Sequence, residues 1–416
     1  MPAVTITDES QVPELLQPVC IGGDILGYSY ARSFHRRWGV DPVILSAVDV
    51  QVTSSSRLCD YRVVPDLGEP GRLLEELLAL GKGLKAAGKL GIVLGSADWH
   101  ARILSEHAEE LSEFYAVPYP DFPLLDRITD KGEFYRICEE LSIPYPKTWT
   151  VLASEGDLPD DLPFPLVVKP ANSAAYDLLE FPGKEKVYAV DDRRGLDEVM
   201  GSLARSGYSK EVVLQDFVPG GDSALRSLTV FTDRHGEARV VSGGRVVIQD
   251  HSPILIGNPC CIMGERVEQI ISDAKRFLSH VGYHGVANFD IKFDERDGSY
   301  RFFEVNTRPG RNSWYVTLGG VEFTEPIVRD FVLHDPMEYR EAFDPFLYTV
   351  VPRKVVADHV ADDGLRARAL EMFRKGKAGY PYGNPDDTLK HRVLARLLLF
   401  NQVRKFNIHL GKGTRV

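Results

Sequence analysis

Cysteine and methionine are both scarce in this chain, with five of each among 416 residues. The cysteines show no C-x-x-C spacing and no disulfide framework. No apolar signal segment stands at the N-terminus, and no apolar run reaches the length of about 18 residues that a membrane span needs. The cytoplasm is the compartment that these absences predict.

An excess of basic residues is also missing. Lys and Arg number 49 against 60 Asp and Glu, which gives a net charge of -11. This balance excludes a nucleic-acid binder that relies on a basic footprint, but it allows a local basic pocket for one nucleotide. The length, with 44% hydrophobic and 26% charged residues, predicts a soluble globular protein of two or three domains.

Strand-like and helix-like segments alternate in the first third of the chain. The apolar runs PVCIGG (18–23), DPVILS (41–46) and KLGIVLG (89–95) read as strands, and helix-compatible stretches lie between them. This alternation predicts a parallel α/β domain up to about residue 120. Two glycine-rich stretches imitate nucleotide loops within it, but neither has the required spacing or context. We predict a tight turn at Gly22–Gly23 and a helix end within GLKAAGK (83–89).

A second unit opens near Thr129. A helix there leads into an extended segment, and short β-rich stretches then surround one helix near 195–207. These features predict an α+β subdomain, and the pattern becomes mainly helical beyond about residue 330.

The regular alternation of residues 286–306 predicts a β-hairpin. Period two places Asn288, Asp290 and Lys292 on one face of its first strand. With a three-residue loop at 296–298 and Gly298 in the left-handed conformation, Asp290 faces Glu304. Two facing carboxylates repel one another, so a cation between them is expected.

The donor set of this hairpin favours magnesium. Asp290, Glu304 and Asn306 offer only oxygen ligands, and Mg²⁺ prefers one or two carboxylates together with water and substrate phosphates. A solvated surface hairpin is the alternative, although Phe and Ile flank the acids closely.

Several cations and one strand end fit a phosphorylated ligand. Arg308 and Arg311 follow the hairpin, and Lys169 and Lys131 stand at a strand end and a helix start. The strand 211–222 breaks at Pro-Gly-Gly; its backbone near Asp216, Phe217 and Val218 suits an adenine edge, and Asp222 suits ribose hydroxyls. Ordinary salt bridges, a solvated strand cap and a plain strand-to-turn transition are the alternatives.

The ordered set DK, VVKP, LQDFVPG, NFDIKF and FFEVNTRPG resembles the ATP-grasp superfamily of carboxylate-activating ligases, over roughly residues 126–325. Among its members the chain looks most like the D-aspartate ligase group, which uses ATP to join an amino acid to a peptidoglycan stem peptide. The resemblance implies a Rossmann-like domain at 1–125, an ATP-grasp domain at 126–330 and a mainly helical extension at 331–416.

The resemblance also implies roles for single residues. It places Lys131 and Lys169 on ATP phosphates, Gln215 to Val218 at the adenine, and Asp222 near the ribose. It places Mg²⁺ on Asp290, Glu304 and Asn306, and Arg308 at the transferred phosphate. The chain departs from the family in lacking a glycine-rich lid after Lys169, so Lys184 or Lys186 is a candidate substitute. Arg245 and Arg311 are candidates for holding the substrate.

The implied reaction forms an acyl phosphate, which an amine then attacks. The rivals are another amino-acid or dipeptide ligase, a carboxylase-type ATP-grasp enzyme, and a nucleotide-sensing protein without turnover. Stereochemistry, acceptor and oligomeric state stay open, with a homodimer as one alternative.

The tail after Asn384 and Pro385, which are predicted to start a helix, carries seven Lys or Arg and no acid from Lys390 onward. We expect this helix to dock on the core, and contact with an anionic membrane surface is the alternative.

Overall fold

The computed structural model describes residues 4–153, 158–171, 176, 179–185, 187–253 and 255–416. The chain forms two compact units. The large unit comprises Met1–Ile137, Gly221–Ile291 and Glu304–Val416, and the small unit comprises Cys138–Gly220 and Lys292–Phe303. The units alternate along the chain, whereas the predicted domains at 1–125, 126–330 and 331–416 are consecutive; that division stays a prediction.

The first part of the large unit is a five-stranded parallel sheet. Its strands are β1 (Leu16–Ile21), β2 (Val43–Ser46), β3 (Asp60–Val63), β4 (Leu90–Gly95) and β5 (Tyr115–Ala116). The helices of this part are α1 (Val12–Leu15), α2 (Ile25–Trp38), α3 (Gln51–Ser54), α4 (Pro70–Ala86), α5 (Asp98–Glu106), α6 (Ala108–Leu111), α7 (Phe122–Thr129) and α8 (Lys131–Glu140), whose last three residues enter the small unit. The spatial order is β3-β2-β1-β4-β5. The three predicted apolar runs form β1, β2 and β4, which are buried almost throughout, as parallel strands usually are.

The turn after β1 requires glycine. Gly22 has a φ of +105°, and a Cβ there would lie 1.9 Å from Ser96 Oγ. Asp24 then caps α2 by accepting hydrogen bonds from the amides of Leu26 and Gly27. The predicted tight turn is confirmed, and GLKAAGK ends α4 as expected, with Gly88 at a φ of +69°.

The small unit is built on a four-stranded antiparallel sheet. Its strands are β6 (Thr148–Leu152), β7 (Leu166–Pro170), β8 (Tyr188–Val190) and β9 (Glu211–Asp216), in the order β6-β9-β7-β8. Helix α9 (Arg193–Arg205) packs Leu196 and Leu203 against Val168 and Leu214 of the sheet. This arrangement confirms the α+β character predicted for the segment.

An eight-stranded sheet forms the second part of the large unit and extends into the small unit through one hairpin. Its strands are β10 (Leu225–Thr232), β11 (Ala238–Gln249), β12 (Pro259–Gly264), β13 (Gly285–Asp294), β14 (Ser299–Asn306), β15 (Arg340–Glu341), β16 (Leu347–Thr349) and β17 (Ala378–Gly379). The order is β14-β13-β10-β11-β12-β16-β17, and β15 pairs with β11. The accompanying helices are α10 (Glu268–Val281), α11 (Trp314–Leu318) and α12 (Glu325–Phe331).

Three further helices end the chain: α13 (Arg353–His359), α14 (Asp363–Arg374) and α15 (Leu389–Leu410). Phe406 of α15 packs with Val355 and Leu365 in a common apolar cluster. Among the described residues, no helix combines the length and the apolar composition needed to cross a bilayer.

The start of α15 corrects one prediction. Thr388 is the N-cap, because its side chain accepts a hydrogen bond from the amide of His391, whereas Asn384 and Pro385 lie before the helix. Asp387 accepts hydrogen bonds from Tyr28 (2.8 Å) and Ser56 (2.6 Å). Within the helix, His391 Nδ1 lies 2.7 Å from Val52 O, so the helix packs against the rest of the large unit, as expected.

Candidate active site

The hairpin of β13 and β14 brings the two predicted acids together. Its turn, residues 295–298, is one residue longer than predicted, and Gly298 has the expected positive φ of 73°. Phe289 and Phe302 are fully buried within the strands. Asp290 and Glu304 line the same cavity, and the charge of Glu304 acts to raise the pKa of Asp290, so the structure brings the two predicted carboxylates together.

The surroundings of this pair make it hold a proton tightly. Removal from water raises the pKa of Asp290 to about 7, and both the charge of Glu304 and the hydrogen bond between the two groups act in the same direction. Asn306 opposes this effect by donating from Nδ2 to Asp290 Oδ2 at 3.3 Å. A close acid pair of this kind is destabilised when both members ionise, which is the state that a bound cation would favour.

The donor set fits Mg²⁺. Two carboxylates and one amide provide oxygen ligands only, and Mg²⁺ needs few protein ligands when substrate phosphates complete its shell. No group of three or more His, Cys, Asp or Glu side chains able to hold a metal occurs in the described part of the chain. The pair therefore suits a cation that is shared with a phosphorylated ligand better than a cation caged by protein alone.

Arg308 is fixed beside the acid pair. Its Nε lies 2.8 Å from Asp98 Oδ1, and its Nη2 donates to Asp98 Oδ2 at 2.9 Å. Asp98 begins α5, just beyond the end of β4. The charge of Arg308 acts to lower the pKa of Asp290, so the guanidinium is close enough to stabilise negative charge there.

A cavity of about 880 Å³ in the large unit contains this cluster. Asp290, Glu304, Asn306, Arg308 and Arg311 line it. Cavities of this size bury drug-sized ligands, whose pockets measure about 300–1,000 Å³. Four predicted site residues and the substrate candidate Arg311 thus share one space.

Lys131 also lies near the acids. Its Nζ is 3.6 Å from Glu304 Oε2, and both side chains are about half exposed. An ion pair this open contributes little to stability. The lysine therefore remains available for a phosphate, and that role stays a prediction.

In the small unit, Lys169 of β7 and Gln215 of β9 are in contact. Lys169 Nζ donates to Gln215 Oε1 at 3.2 Å, and Gln215 Nε2 donates to Thr148 Oγ1 at 3.0 Å. The antiparallel pairing of β7 and β9 sets this contact, because Lys169 pairs with Val213 and Val167 with Gln215. The structure thus brings two predicted ATP-binding residues together.

The predicted adenine segment follows directly. The carboxylate of Asp216 binds Arg296 at 2.6 Å, the Phe217 amide donates to Pro165 O at 3.1 Å, and Val218 O accepts from Lys292 Nζ at 2.8 Å. Within the described residues, the Val218 amide donates to no protein oxygen. Backbone recognition of adenine would therefore use the amide at Val218, whereas the Asp216 side chain holds the segment in place.

Two predictions find little support in the positions of their residues. Asp222 lies in the large unit, is 2% exposed, and accepts from His251 Nε2 at 2.8 Å and the Gln249 amide at 2.9 Å, so its carboxylate is used internally. Arg245 binds Asp362 at 3.0 Å and does not line the cavity. The ribose role of Asp222 and the substrate role of Arg245 are not supported by these arrangements.

Lys184 and Lys186 were the candidate substitutes for the glycine-rich lid, and the structure describes only the first of them. Lys186 lies outside the described residues. Lys184 Nζ donates to Leu179 O at 2.5 Å and lies 5.4 Å from the ring centroid of Tyr176. Lys184 thus contacts its own segment.

Sequence reasoning missed Asp98 and the cavity face of α15. Asp98 stands three residues after β4, at the carboxyl edge of a parallel sheet where ligands commonly bind, so this signal was available. Arg392, Arg396 and Leu399 of α15 line the cavity. Their spacing of three to four residues indicates one helix face but does not indicate what that face covers.

Several known proteins resemble this chain. A D-aspartate ligase of Enterococcus faecium (strain Aus0004) is 31% identical over 410 residues, which cover 95% of this chain and 97% of that protein. A D-alanine–D-alanine ligase of Gluconobacter oxydans (strain 621H) is 26% identical over 196 residues, covering 44% of this chain and 58% of that protein. No protein-family model matches the chain.

Solved structures share the fold. An L-amino acid ligase from Bacillus licheniformis superposes with a TM-score of 0.54 at 18% identity, covering 77% of this chain and 75% of that one. An ADP complex of N5-carboxyaminoimidazole ribonucleotide synthetase gives 0.57 at 15% identity, with 83% and 82% covered. The shared fold and the 31% identity to a D-aspartate ligase together define an ATP-grasp enzyme, an ADP-forming ligase that makes carbon–nitrogen bonds.

Within that class, the extent of the likeness to the enterococcal protein decides the family. The chain belongs to the D-aspartate ligase family.

Proposed function

We propose that this ligase joins D-aspartate, through a carboxylate, to an amine of a peptidoglycan stem peptide in the cytoplasm. The observation that carries the proposal is the 31% identity to a D-aspartate ligase along 95% of the chain. A match of that extent includes the acid pair, which lies far from both ends of the chain. All five cysteines are free, which agrees with a reducing compartment.

The proposed reaction has two steps. An oxygen of the amino-acid carboxylate attacks the γ-phosphorus of ATP, the bond to the bridging oxygen breaks, and ADP leaves. The acceptor amine then attacks the carbonyl carbon of the acyl phosphate, inorganic phosphate departs, and the amine proton passes to solvent or base. No covalent bond to the enzyme is required.

The residues of the large unit would stabilise charge in these steps. Arg308, held by Asp98, would lie against the phosphoryl group. Asp290, Glu304 and Asn306 would hold Mg²⁺, which neutralises phosphate charge during transfer. The cavity would exclude water from the acyl phosphate, which otherwise hydrolyses.

The nucleotide contacts are assigned on motif order and local contact. Lys169 and Lys131 would bind ATP phosphates, and the Val218 amide would bind the adenine edge. The contact of Lys169 with Gln215 supports the first of these roles, because it holds the ammonium at the end of its strand.

The test measures ADP release over a panel of amino acids, each offered with and without a lysine-containing stem peptide. We expect the largest rate with D-aspartate plus peptide, and a mass increase of the peptide by one aspartyl residue. The Asp290→Asn variant serves as the inactive control. Preference for L-aspartate, or for bicarbonate without peptide, would replace the proposal by the dipeptide-ligase or carboxylase alternative.

We further propose that the outer face of α15 rests on an anionic membrane surface. Leu389, Val393, Leu397, Phe400 and Ile408 are between 45% and 75% exposed and recur every three to eight residues along one stripe. Lys390 and Lys412 are exposed near this stripe and carry charge complementary to anionic lipid.

Flotation with vesicles tests this surface. Binding should be strong on vesicles with anionic lipid, weak on neutral ones and reduced by salt. The double change Leu397→Glu and Phe400→Glu should abolish it without altering ADP release in solution. Equal flotation of wild type and the double variant would contradict the proposed contact.

A further inference from the structure

Helix α15 contributes charged side chains to the same cavity as the acid pair. Arg392 and Arg396 lie one turn apart on it, and Lys405 lines the cavity further along. The cavity therefore combines carboxylates on the β-hairpin with cations on a helix for which the sequence predicted docking on the core, or contact with a membrane surface, but no part in the site.

The cations of the cavity divide into two kinds. Arg308 is paired with Asp98, and Lys405 is paired with Asp250. For Arg311, Arg392 and Arg396, no carboxylate of the described residues lies within ion-pair distance. In a chain with 60 acidic and 49 basic residues, three such arginines around one cavity indicate a site for an external anion.

The contacts of Arg392 provide more specific support for an anion site. Its Nη1 donates to Pro385 O at 3.3 Å, and its Nε is buried without an acceptor among the described residues. A buried N–H group without a partner is costly, and a bound anion would remove that cost. Arg311 and Arg396 are exposed, so their planar donor groups are free to bind two oxygens at once.

Resting on the proposed function, we infer that Arg311, Arg392 and Arg396 bind an anionic group of the acceptor, a carboxylate or a phosphate, away from the reacting amine. The amino acid would occupy the acid-pair end, where the chemistry takes place. At about 880 Å³ the cavity resembles pockets for drug-sized ligands, which leaves room for a peptide-sized acceptor. The three arginines would thus set acceptor specificity, whereas the hairpin carries out the chemistry.

The kinetic test uses Arg392→Gln, Arg396→Gln and the double variant, with Arg404→Gln as the matched control. Arg404 is exposed on the same helix and does not line the cavity. Each cavity change should raise the KM for the acceptor about tenfold, the value of one charge-assisted contact. The KM values for ATP and D-aspartate and the kcat at saturating acceptor should stay within about twofold. Thermal melts exclude unfolding, and Arg392→Lys should restore part of the acceptor affinity.

Two modified acceptor peptides distinguish whether the bound anion is a carboxylate or a phosphate. A stem peptide with an amidated C-terminus, compared with the free carboxylate, tests the carboxylate. The same peptide with a phosphoryl group at its other end tests the phosphate. If the site binds a carboxylate, amidation should change the KM of wild type for the acceptor but not that of the double variant. If the site binds a phosphate, the added phosphoryl group should have that effect. Insensitivity of wild type to both modifications would overturn the inference.

Direct binding separates this inference from the proposed function. Calorimetric titration of the unmodified stem peptide into wild type and the double variant needs no turnover. If no amino acid is ligated but the variant still binds the peptide about tenfold more weakly or worse, the anion site stands and the proposed reaction fails. Equal peptide affinities, including no binding to either protein, overturn the site whatever the outcome for D-aspartate.

Discussion

Asp290 and Asp294 lie four residues apart on β13, but their pKa values are shifted in opposite directions. Asp290 faces another carboxylate and loses water, so its pKa rises to about 7. Asp294, fully buried by surface area, accepts hydrogen bonds from Arg296 first and Arg301 as well, and these contacts lower its pKa to about 2.

The difference between the two acids distinguishes a residue that needs a ligand from a residue that stabilises the fold. Asp294 has its counter-ions within the protein, so its charge is satisfied without any ligand. The charge of Asp290 is destabilised by the residue it contacts and needs something from outside. An acid that the fold leaves in this state is a candidate for function, whereas one that the fold neutralises is a candidate for structure.

The largest expected effect is on turnover. Asp290→Asn and Glu304→Gln should each reduce kcat by about 10²–10³ or more, because charge on the transferred phosphoryl group loses its counter-charge. Without Mg²⁺, both variants should be at least as stable as wild type, since each change relieves the repulsion. Thermal melts with and without Mg-ADP test this: wild type should gain stability and the variants should lose most of that gain. A variant that keeps both the gain and ATP turnover would contradict the metal site.

A cation of the small unit, Lys169, allows a second test of a residue predicted to bind ligand. Lys169→Ala should weaken ATP binding by about 1.5–3 kcal/mol, the value of one charge-assisted contact, and leave the melting temperature without nucleotide nearly unchanged. Fluorescence or calorimetric titration with ATP measures it. Unchanged ATP affinity would remove Lys169 from the phosphate site.

The reverse behaviour is expected at Asp294. Asp294→Ala should lower the free energy of unfolding by about 1–3 kcal/mol, because buried hydrogen bonds to charged groups are lost, although Arg296 keeps Asp216 and Arg301 keeps Asp297. Its pKa lies below the ordinary value of 3.8, so this stability is present above about pH 4 and is lost as pH falls toward 2. Urea unfolding at pH 7 and pH 3 should show a smaller difference between variant and wild type at the lower pH. A constant difference would contradict the assignment.

The smallest effect is a proton linkage at the acid pair. Since the pKa of Asp290 lies above its ordinary value, its contribution to stability is greatest below about pH 4 and is lost as pH rises toward 7 in metal-free protein. Binding of Mg-ADP should therefore release about one proton at pH 6 and almost none at pH 8.5. Calorimetry in buffers of different ionisation enthalpy counts these protons. Glu304→Gln should reduce the release to that of Mg-ADP itself, and an unchanged count would exclude the pair as its source.

Local sequence patterns determined much of this protein. Period-two alternation and a glycine at the turn were enough to predict that Asp290 and Glu304 meet on one hairpin, even though the loop proved one residue longer. Apolar runs identified β1, β2 and β4, because strands buried on both faces are continuously hydrophobic. The order of short motifs indicated the family, since each motif supplies one group that nucleotide chemistry requires.

Only the tertiary structure decided which charges are already neutralised. From the sequence, Asp222 was a candidate for the ribose and Arg245 for the substrate, but His251 and Asp362 pair with them from positions 29 and 117 residues away. The same limit hid the pairing of Arg308 with Asp98, 210 residues away, and the position of the α15 arginines in the cavity wall. Local periodicity determines which face of a helix or strand carries a side chain. Packing between distant segments determines which charged group lies beside it. Whether a charged residue has such a partner within the protein decides whether it is a candidate for binding or for structure.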